Sequence, residues 1–230
     1  MEHKIRTMVC KAGKKIVDTG LAAGTWGNVS ARIDKNTMLI TPSGRDYSAI
    51  KPEDIVLVNI NTLESSGKLP PSSETPMHAA IYRTRPEING IIHTHPQYGC
   101  TVAAARMEVP PILDDMAQLI GPGLKVADYA HPGSEKMVTG VLRSIEGRNA
   151  CLLANHGAVC IGRTLDEAFT VNIILEKSCR TFIDSFAIGG AVPFSDEEAS
   201  GLHKMYMETY SVSDQKEKLR MAGIAQPKAT

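Results

Sequence analysis

The sequence predicts an α/β domain. Short apolar runs bounded by turn residues alternate with stretches in which apolar residues recur every three or four positions. With 230 residues, 43% of them hydrophobic and 22% charged, the chain can bury a sizeable core. No break in composition divides it, so one domain is expected over 1–212. The stretch 213–230 has no sustained apolar pattern and is expected to be a mobile tail.

The elements follow in order. Ile5, Met8, Val9, Ala12, Ile16 and Val17 share one face between lysines and arginines, which predicts an amphipathic helix over 2–19 that stops near Gly20. Extended segments at 25–31 and 38–41 flank the polar turn Asp34-Lys35-Asn36. A Pro-Ser-Gly loop, Pro42 to Gly44, leads to a third strand at 55–60. After the Pro- and Ser-rich loop 69–73, Pro76 suits the first helical turn, where its missing N–H costs nothing. Met77, Ala80 and Ile81 give that helix a stripe up to Arg85, which leaves Glu74 at a loop-to-helix junction. A strand at 91–95 and a helix over 96–106 come next. Residues 107–133 are too rich in Pro and Gly to assign. Ser134 caps a helix over 135–146, strands at 151–154 and 158–161 flank an Asn-His-Gly turn, and Thr164 caps a long helix through Phe186. A final helix is expected over 196–208.

Charge and cysteine usage exclude several partner classes. Twenty-five basic residues balance twenty-five acidic ones, so no global field draws the chain to nucleic acid or an anionic membrane. An anionic substrate would have to be held by local donors. The five cysteines lie far apart, without a Cys-x-x-Cys pair, and read as small buried hydrophobes of a reducing compartment. The N-terminus lacks a signal-peptide pattern, and no segment is long and apolar enough to span a bilayer, so a cytoplasmic location is expected.

His93, Thr94 and His95 end the apolar run Gly90-Ile91-Ile92. Two histidines one residue apart on a strand project from the same face and form a chelating pair. A third imidazole, His156 in Asn155-His156-Gly157, would complete a three-nitrogen site with a coordination position left open, the arrangement of a catalytic zinc. One histidine beside an apolar strand is ordinarily a satisfied core residue, and His3, His78, His131 and His203 are read that way. Glycine and small hydroxyl residues occur in three loops, Gly27-Asn28-Val29-Ser30, Thr41-Pro42-Ser43-Gly44 and Ser72-Ser73-Glu74. They can surround a phosphate with amides and hydroxyls without adding net charge, although each alone is also what ordinary turns and helix caps contain.

Taken in order, Gly-Asn-Val-Ser, Thr-Pro-Ser-Gly, Pro-Ser-Ser-Glu, His-Thr-His-Pro and Asn-His-Gly resemble the class II aldolase and adducin superfamily, from about Lys4 to about Tyr210. The resemblance implies a three-layer α/β/α sandwich on a central, mainly antiparallel sheet, assembled as a homotetramer with active sites between subunits. It implies that His93, His95 and His156 ligate one zinc ion per chain, for which cobalt or manganese could substitute. Glu74 would be both a further ligand of the resting metal and the acid/base. Gly27, Asn28, Ser43, Gly44, Ser72 and Ser73 would hold the phosphate of a small phosphorylated sugar. A Lewis acid on the carbonyl and adjacent hydroxyl oxygens would stabilise the enediolate left by carbon–carbon cleavage.

The sequence departs from the family where the fuculose-phosphate aldolase carries a proton-donating tyrosine: here the stretch reads Pro110-Pro111-Ile112-Leu113-Asp114-Asp115-Met116. Asp115 is the candidate for that role, against the plain reading of a helix cap. Tyr210, four residues after Tyr206, is the candidate for a late tyrosine acting across the interface, against the reading of a packed aromatic. The expected activity is cleavage of a ketose or deoxyketose 1-phosphate to dihydroxyacetone phosphate and a small aldehyde. The alternatives are an L-ribulose-5-phosphate 4-epimerase, a decarboxylase of a 3-oxo sugar-acid phosphate, and a non-catalytic adducin-like scaffold. Glu74 favours the aldolase, because the epimerase resemblance leads one to expect aspartate there.

Overall fold

The computed structural model describes residues 1–210, apart from the side chain of Tyr210; the expected tail lies outside the described residues. Helix α1 (Glu2–Asp18) precedes β1 (Asn28–Arg32), β2 (Thr37–Ile40), β3 (Val56–Asn59) and the short β4 (Ser65–Ser66). Then come α2 (Thr75–Thr84), β5 (Gly90–Thr94), α3 (Gln97–Ala105), α4 (Asp114–Leu119) and β6 (Val126–Ala127). The rest is α5 (Glu135–Ser144), β7 (Ala150–Leu153), β8 (Gly157–Gly162), α6 (Leu165–Ser185), α7 (Asp196–Met205) and a π-helical turn, Tyr206–Tyr210.

The described strands form one sheet in the order β4-β3-β2-β1-β5-β8-β7-β6, antiparallel throughout except where β6 runs parallel to β7. Strand residues alternate between two cores, as the pleat demands. Met38, Ile40, Ile91, Cys151, Leu153, Val159 and Ile161 face α2 and α5. Val29, Leu39 and Ile92 face α1 and the start of α6, while Leu152, Ala158 and Cys160 face α3, α4 and the rest of α6. Both faces of the sheet are thus covered by helices, which is the three-layer arrangement expected.

Ser134 and Thr164 cap α5 and α6 through their side chains, accepting from Met137 N–H and Glu167 N–H. Several boundaries differ from expectation for local reasons. The first strand begins at Asn28 rather than Thr25 because Gly27 takes φ +80, which turns the chain out of extended geometry. β5 ends at Thr94, since the His95 N–H leaves the sheet to donate to Leu21 O at 3.0 Å. The unassigned stretch 107–133 contains α4 and β6, the latter only two residues long and held by its pairing with β7. The helix expected over 196–208 is α-helical only to Met205.

Ile91 and Ile161 sit opposite each other on the central pair β5–β8, and both are fully buried. Ile161→Ala is expected to cost about 2–5 kcal/mol by leaving a cavity that a close-packed core fills only in part. Urea unfolding measures this loss, and a midpoint equal to wild type would place Ile161 outside the core.

Candidate active site

Pairing of β5 with β8 sets Thr94 opposite Ala158, so the end of one strand and the turn before the other lie side by side. His93 is on the sheet face that α2 covers, with Glu74 at that helix's N-cap, and His95 follows just past the strand end. His156 sits in the β7–β8 turn, where Asn155 takes φ 54 and His156 N–H donates to Leu153 O at 3.0 Å. The three ring centroids form a near-equilateral triangle with sides of 4.9, 4.8 and 5.0 Å. Gly157 makes this possible. A Cβ there would lie 2.7 Å from His95 Cδ2 and run into the Thr94 carbonyl.

The Nε2 atoms of the three imidazoles converge. His93 Nδ1–H donates to Ala158 O at 2.9 Å, which leaves Nε2 as the unprotonated nitrogen. That nitrogen lies 3.0 Å from His95 Nε2 and 3.1 Å from Glu74 Oε2, and His156 Nε2 lies 3.6 Å from Glu74 Oε1. Burial pushes His93 down to about 4, and burial with repulsion from His93 pushes His95 down to about 3 and His156 down to about 4. All three rings are therefore neutral near pH 7, as metal ligands must be.

Glu74 is buried, and its Oε1 has no hydrogen-bond partner among the described residues. An imidazole lone pair facing a carboxylate oxygen at 3.1 Å, with a second carboxylate oxygen orphaned, lacks a positive centre between the donors. The three histidine nitrogens can each offer one ligand atom within 4.8 Å of the others, so this group could hold a metal ion. Nitrogen and carboxylate donors of this number suit a borderline divalent cation such as zinc.

Beside the histidines opens a cavity of about 200 Å³. Its lining includes Gly27, Asn28, Ser43, Gly44, Ser72, Ser73, Glu74, His93, His95 and His156, so the structure brings together every one of these expected residues. Thr25, Trp26, Pro42 and Pro132 complete the wall, and among the described residues neither lysine nor arginine lines it. Two of the loops are joined by a reciprocal pair of backbone bonds, Ser43 N–H to Pro70 O at 3.0 Å and Ser72 N–H to Thr41 O at 3.1 Å. Their serines therefore present to one space. Ser72 Oγ also accepts from Glu74 N–H at 3.3 Å, joining this wall to the start of α2.

One expected residue does not join this cluster. Asp115 lies in the first turn of α4, where it accepts from Lys177 Nζ at 2.6 Å, and it does not line the cavity. Its neighbour Asp114 accepts from Gln118 instead. The Tyr210 side chain lies outside the described residues. Tyr206 donates to Glu167 Oε1 at 3.2 Å.

Sequence reasoning missed how Asn28 is used. Its Nδ2 donates to Glu74 Oε2 at 2.7 Å and its Oδ1 meets His78 Nε2 at 2.6 Å, so the side chain bridges two buried groups besides lining the cavity. A signal for this was present. Asn28 and Ser30 share one face of β1, and Glu74, His78 and Tyr82 recur every four residues along α2.

Residues 7–183 match the model of the Class II Aldolase and Adducin N-terminal domain. The chain is similar to a 5-deoxy-D-ribulose 1-phosphate aldolase of Bacillus thuringiensis serovar kurstaki, 32% identical over 89% of this chain and 96% of the relative. It is also similar to an L-fuculose phosphate aldolase of Escherichia coli K12, 33% identical over 82% and 90% of the two chains. A solved L-fuculose 1-phosphate aldolase superposes with a TM-score of 0.84 at 35% identity, covering 89% of this chain and 96% of that one. With the three-histidine cluster at the head of its sheet, this chain belongs to the class II aldolase and adducin family and is an enzyme with class II aldolase activity, a carbon–carbon lyase.

Proposed function

We propose that the chain is a zinc-dependent aldolase that reversibly cleaves a ketose or deoxyketose 1-phosphate into dihydroxyacetone phosphate and a small aldehyde. One observation carries this reading: three neutral imidazoles and the Glu74 carboxylate converge at the foot of a cavity walled by neutral hydrogen-bond donors. The names of the similar aldolases, which act on deoxyribulose and fuculose phosphates, support a sugar 1-phosphate as substrate. The modest cavity volume of about 200 Å³ suits the three-carbon phosphate half, leaving the aldehyde half toward the open side.

In this reading His93, His95 and His156 hold the ion, with Glu74 as a further ligand at rest. When bound, the ion supplies positive charge for the carbonyl and hydroxyl oxygens that become electron-rich as the carbon–carbon bond breaks. Ser43, Ser72, Ser73, Asn28 and the Gly27 and Gly44 amides hold the phosphate, aided by the electropositive N-terminus of α2. In the cleavage direction Glu74 delivers a proton to the carbon that has lost its partner, and it removes that proton in the reverse direction. The second proton transfer, at the aldehyde oxygen, is assigned to Tyr210 and Asp115 acting from a neighbouring subunit of a homotetramer. Location in the reducing cytoplasm suits the five cysteines, all of them unpaired.

Glu74 and the similarity to 1-phosphate aldolases favour this over the 4-epimerase or a 3-oxo acid decarboxylase, which would use the same donors. Product analysis with ketose 1-phosphates, pentulose 5-phosphates and oxo-acid phosphates separates them. Dihydroxyacetone phosphate is expected from a 1-phosphate, whereas an isomeric pentulose 5-phosphate or carbon dioxide would replace the proposal by one of the alternatives.

His93→Ala is expected to abolish both retention of the divalent ion and turnover, so a fully active variant without metal would refute the metal site. Glu74→Gln should keep the fold and lower kcat by about 10²–10⁴-fold, and wild-type turnover would remove Glu74 from the proton transfers. Acid should destabilise the metal-free protein. Its histidines His93, His95 and His156 titrate at about 4, 3 and 4 when folded, against about 6.5 for the unfolded chain. The unfolded state thus binds more protons below neutrality, so stability present above about pH 6.5 is lost as pH falls toward 4. Chelator-treated protein should show a lower urea midpoint at pH 5 than at pH 7, and a midpoint that rises on acidification would contradict the neutral assignment.

A further inference from the structure

A line of buried side chains leads away from Glu74 into the layer between the sheet and α2. Asn28 Nδ2 lies 2.7 Å from Glu74 Oε2, His78 Nε2 lies 2.6 Å from Asn28 Oδ1, Ser30 Oγ lies 2.6 Å from His78 Nδ1, and Tyr82 Oη lies 3.0 Å from Ser30 Oγ. His78 and Ser30 are fully buried, and Tyr82, Glu74 and Asn28 nearly so. The chemistry of each group fixes one direction for the line. A carboxylate only accepts, so Asn28 must turn its NH₂ to Glu74 and its carbonyl oxygen to His78. His78 must then carry its proton on Nε2. Its Nδ1 accepts from Ser30 O–H, and Ser30 Oγ accepts from Tyr82 O–H. Burial, with repulsion from His93, pushes His78 down to about 3, which keeps the ring neutral and able to do both.

We propose that His78 is a positioning residue for Glu74: by donating from Nε2 to Asn28 Oδ1 it locks the amide so that Nδ2 faces Glu74 Oε2, and Oε1 is left as the oxygen that handles the proton. This rests on the reading of Glu74 as the acid/base. An Asn amide is nearly symmetric in shape and turns over readily unless its two ends meet different partners. Without the His78 donor, the flipped amide would set oxygen against oxygen at Glu74 and release the carboxylate from its place. A purely packing role for position 78 would be met by an apolar side chain, with no need for four other buried polar groups, each costly to desolvate.

The test separates the proton step from the rest of the reaction. With dihydroxyacetone phosphate alone in D₂O, a carbon–hydrogen bond breaks and its proton passes to Glu74, the freed electron pair forms a double bond to the carbonyl carbon as the carbonyl π pair moves onto its oxygen, and the reverse steps return deuterium from solvent. His78→Met should slow this exchange and kcat together by about 10–100-fold while KM and bound metal stay as in wild type, and His78→Gln, which restores a donor to Asn28, should recover most of the loss. Exchange at the wild-type rate in His78→Met, alongside a slow Glu74→Gln, would overturn this inference alone. Wild-type exchange in Glu74→Gln would overturn it together with the acid/base assignment. Nitrogen-15 NMR of the intact protein does not depend on whether a variant folds. His78 should show the proton on Nε2, and a proton on Nδ1 would overturn the proposal.

Discussion

Two hydrogen-bond acceptors, the Nε2 of His93 and the Oε2 of Glu74, are held 3.1 Å apart in a place that water scarcely reaches. Left to themselves such groups would separate or protonate. Here they are kept in place by what lies behind each of them. The Ala158 carbonyl accepts from the N–H on the far side of the His93 ring, and the Asn28 amide donates to the same Glu74 Oε2 that faces His93. The concentration of lone pairs is thus built in by the hydrogen bonds of the surrounding strands, and a divalent cation is the partner whose charge answers all of them at once.

The fold serves that constraint by bringing remote parts of the chain to one point. β1, β5 and β8 are adjacent in the sheet, so Asn28, His93 and His156 come from neighbouring strand ends although they are far apart in sequence. α2 packs across the face they share and sets Glu74 at its first turn. Two glycines permit the crowding. Gly157 makes room for the imidazoles, and Gly27, at φ +80 with its missing Cβ 2.7 Å from the His93 carbonyl, lets the substrate-side loop run against the strand.

Much of this was readable in the sequence because it follows from periodicity. The alternation at His93 and His95 required a shared face, the capping residues Ser134 and Thr164 announced their helices, and the junction before Pro76 located Glu74. What was unreadable depends on tertiary partners. β4 and β6 are two-residue strands with no period to detect, and they exist through their neighbours β3 and β7. α4 is hidden by the prolines before it and is secured by packing of Met116, with Ile120 just after the helix, against Leu152, Ala158, α3 and α6. His78 was read as an ordinary core histidine, which its complete burial bears out, but its hydrogen-bond partners come from a different strand and could be known only once β1 was laid against α2. Asp115, proposed for proton transfer, pairs with Lys177 of α6, a partner 62 residues away that no local pattern announces.

The shortness of β4 and β6 has a bearing on how copies of this chain can meet. These are the two margins of the sheet, and each offers only a couple of backbone groups to an incoming strand. End-to-end extension of the sheet into a continuous ribbon is therefore blocked at both rims. Among the described residues, the broader surfaces left for contact are helices and loops, where side chains, rather than backbone ladders, choose the neighbour.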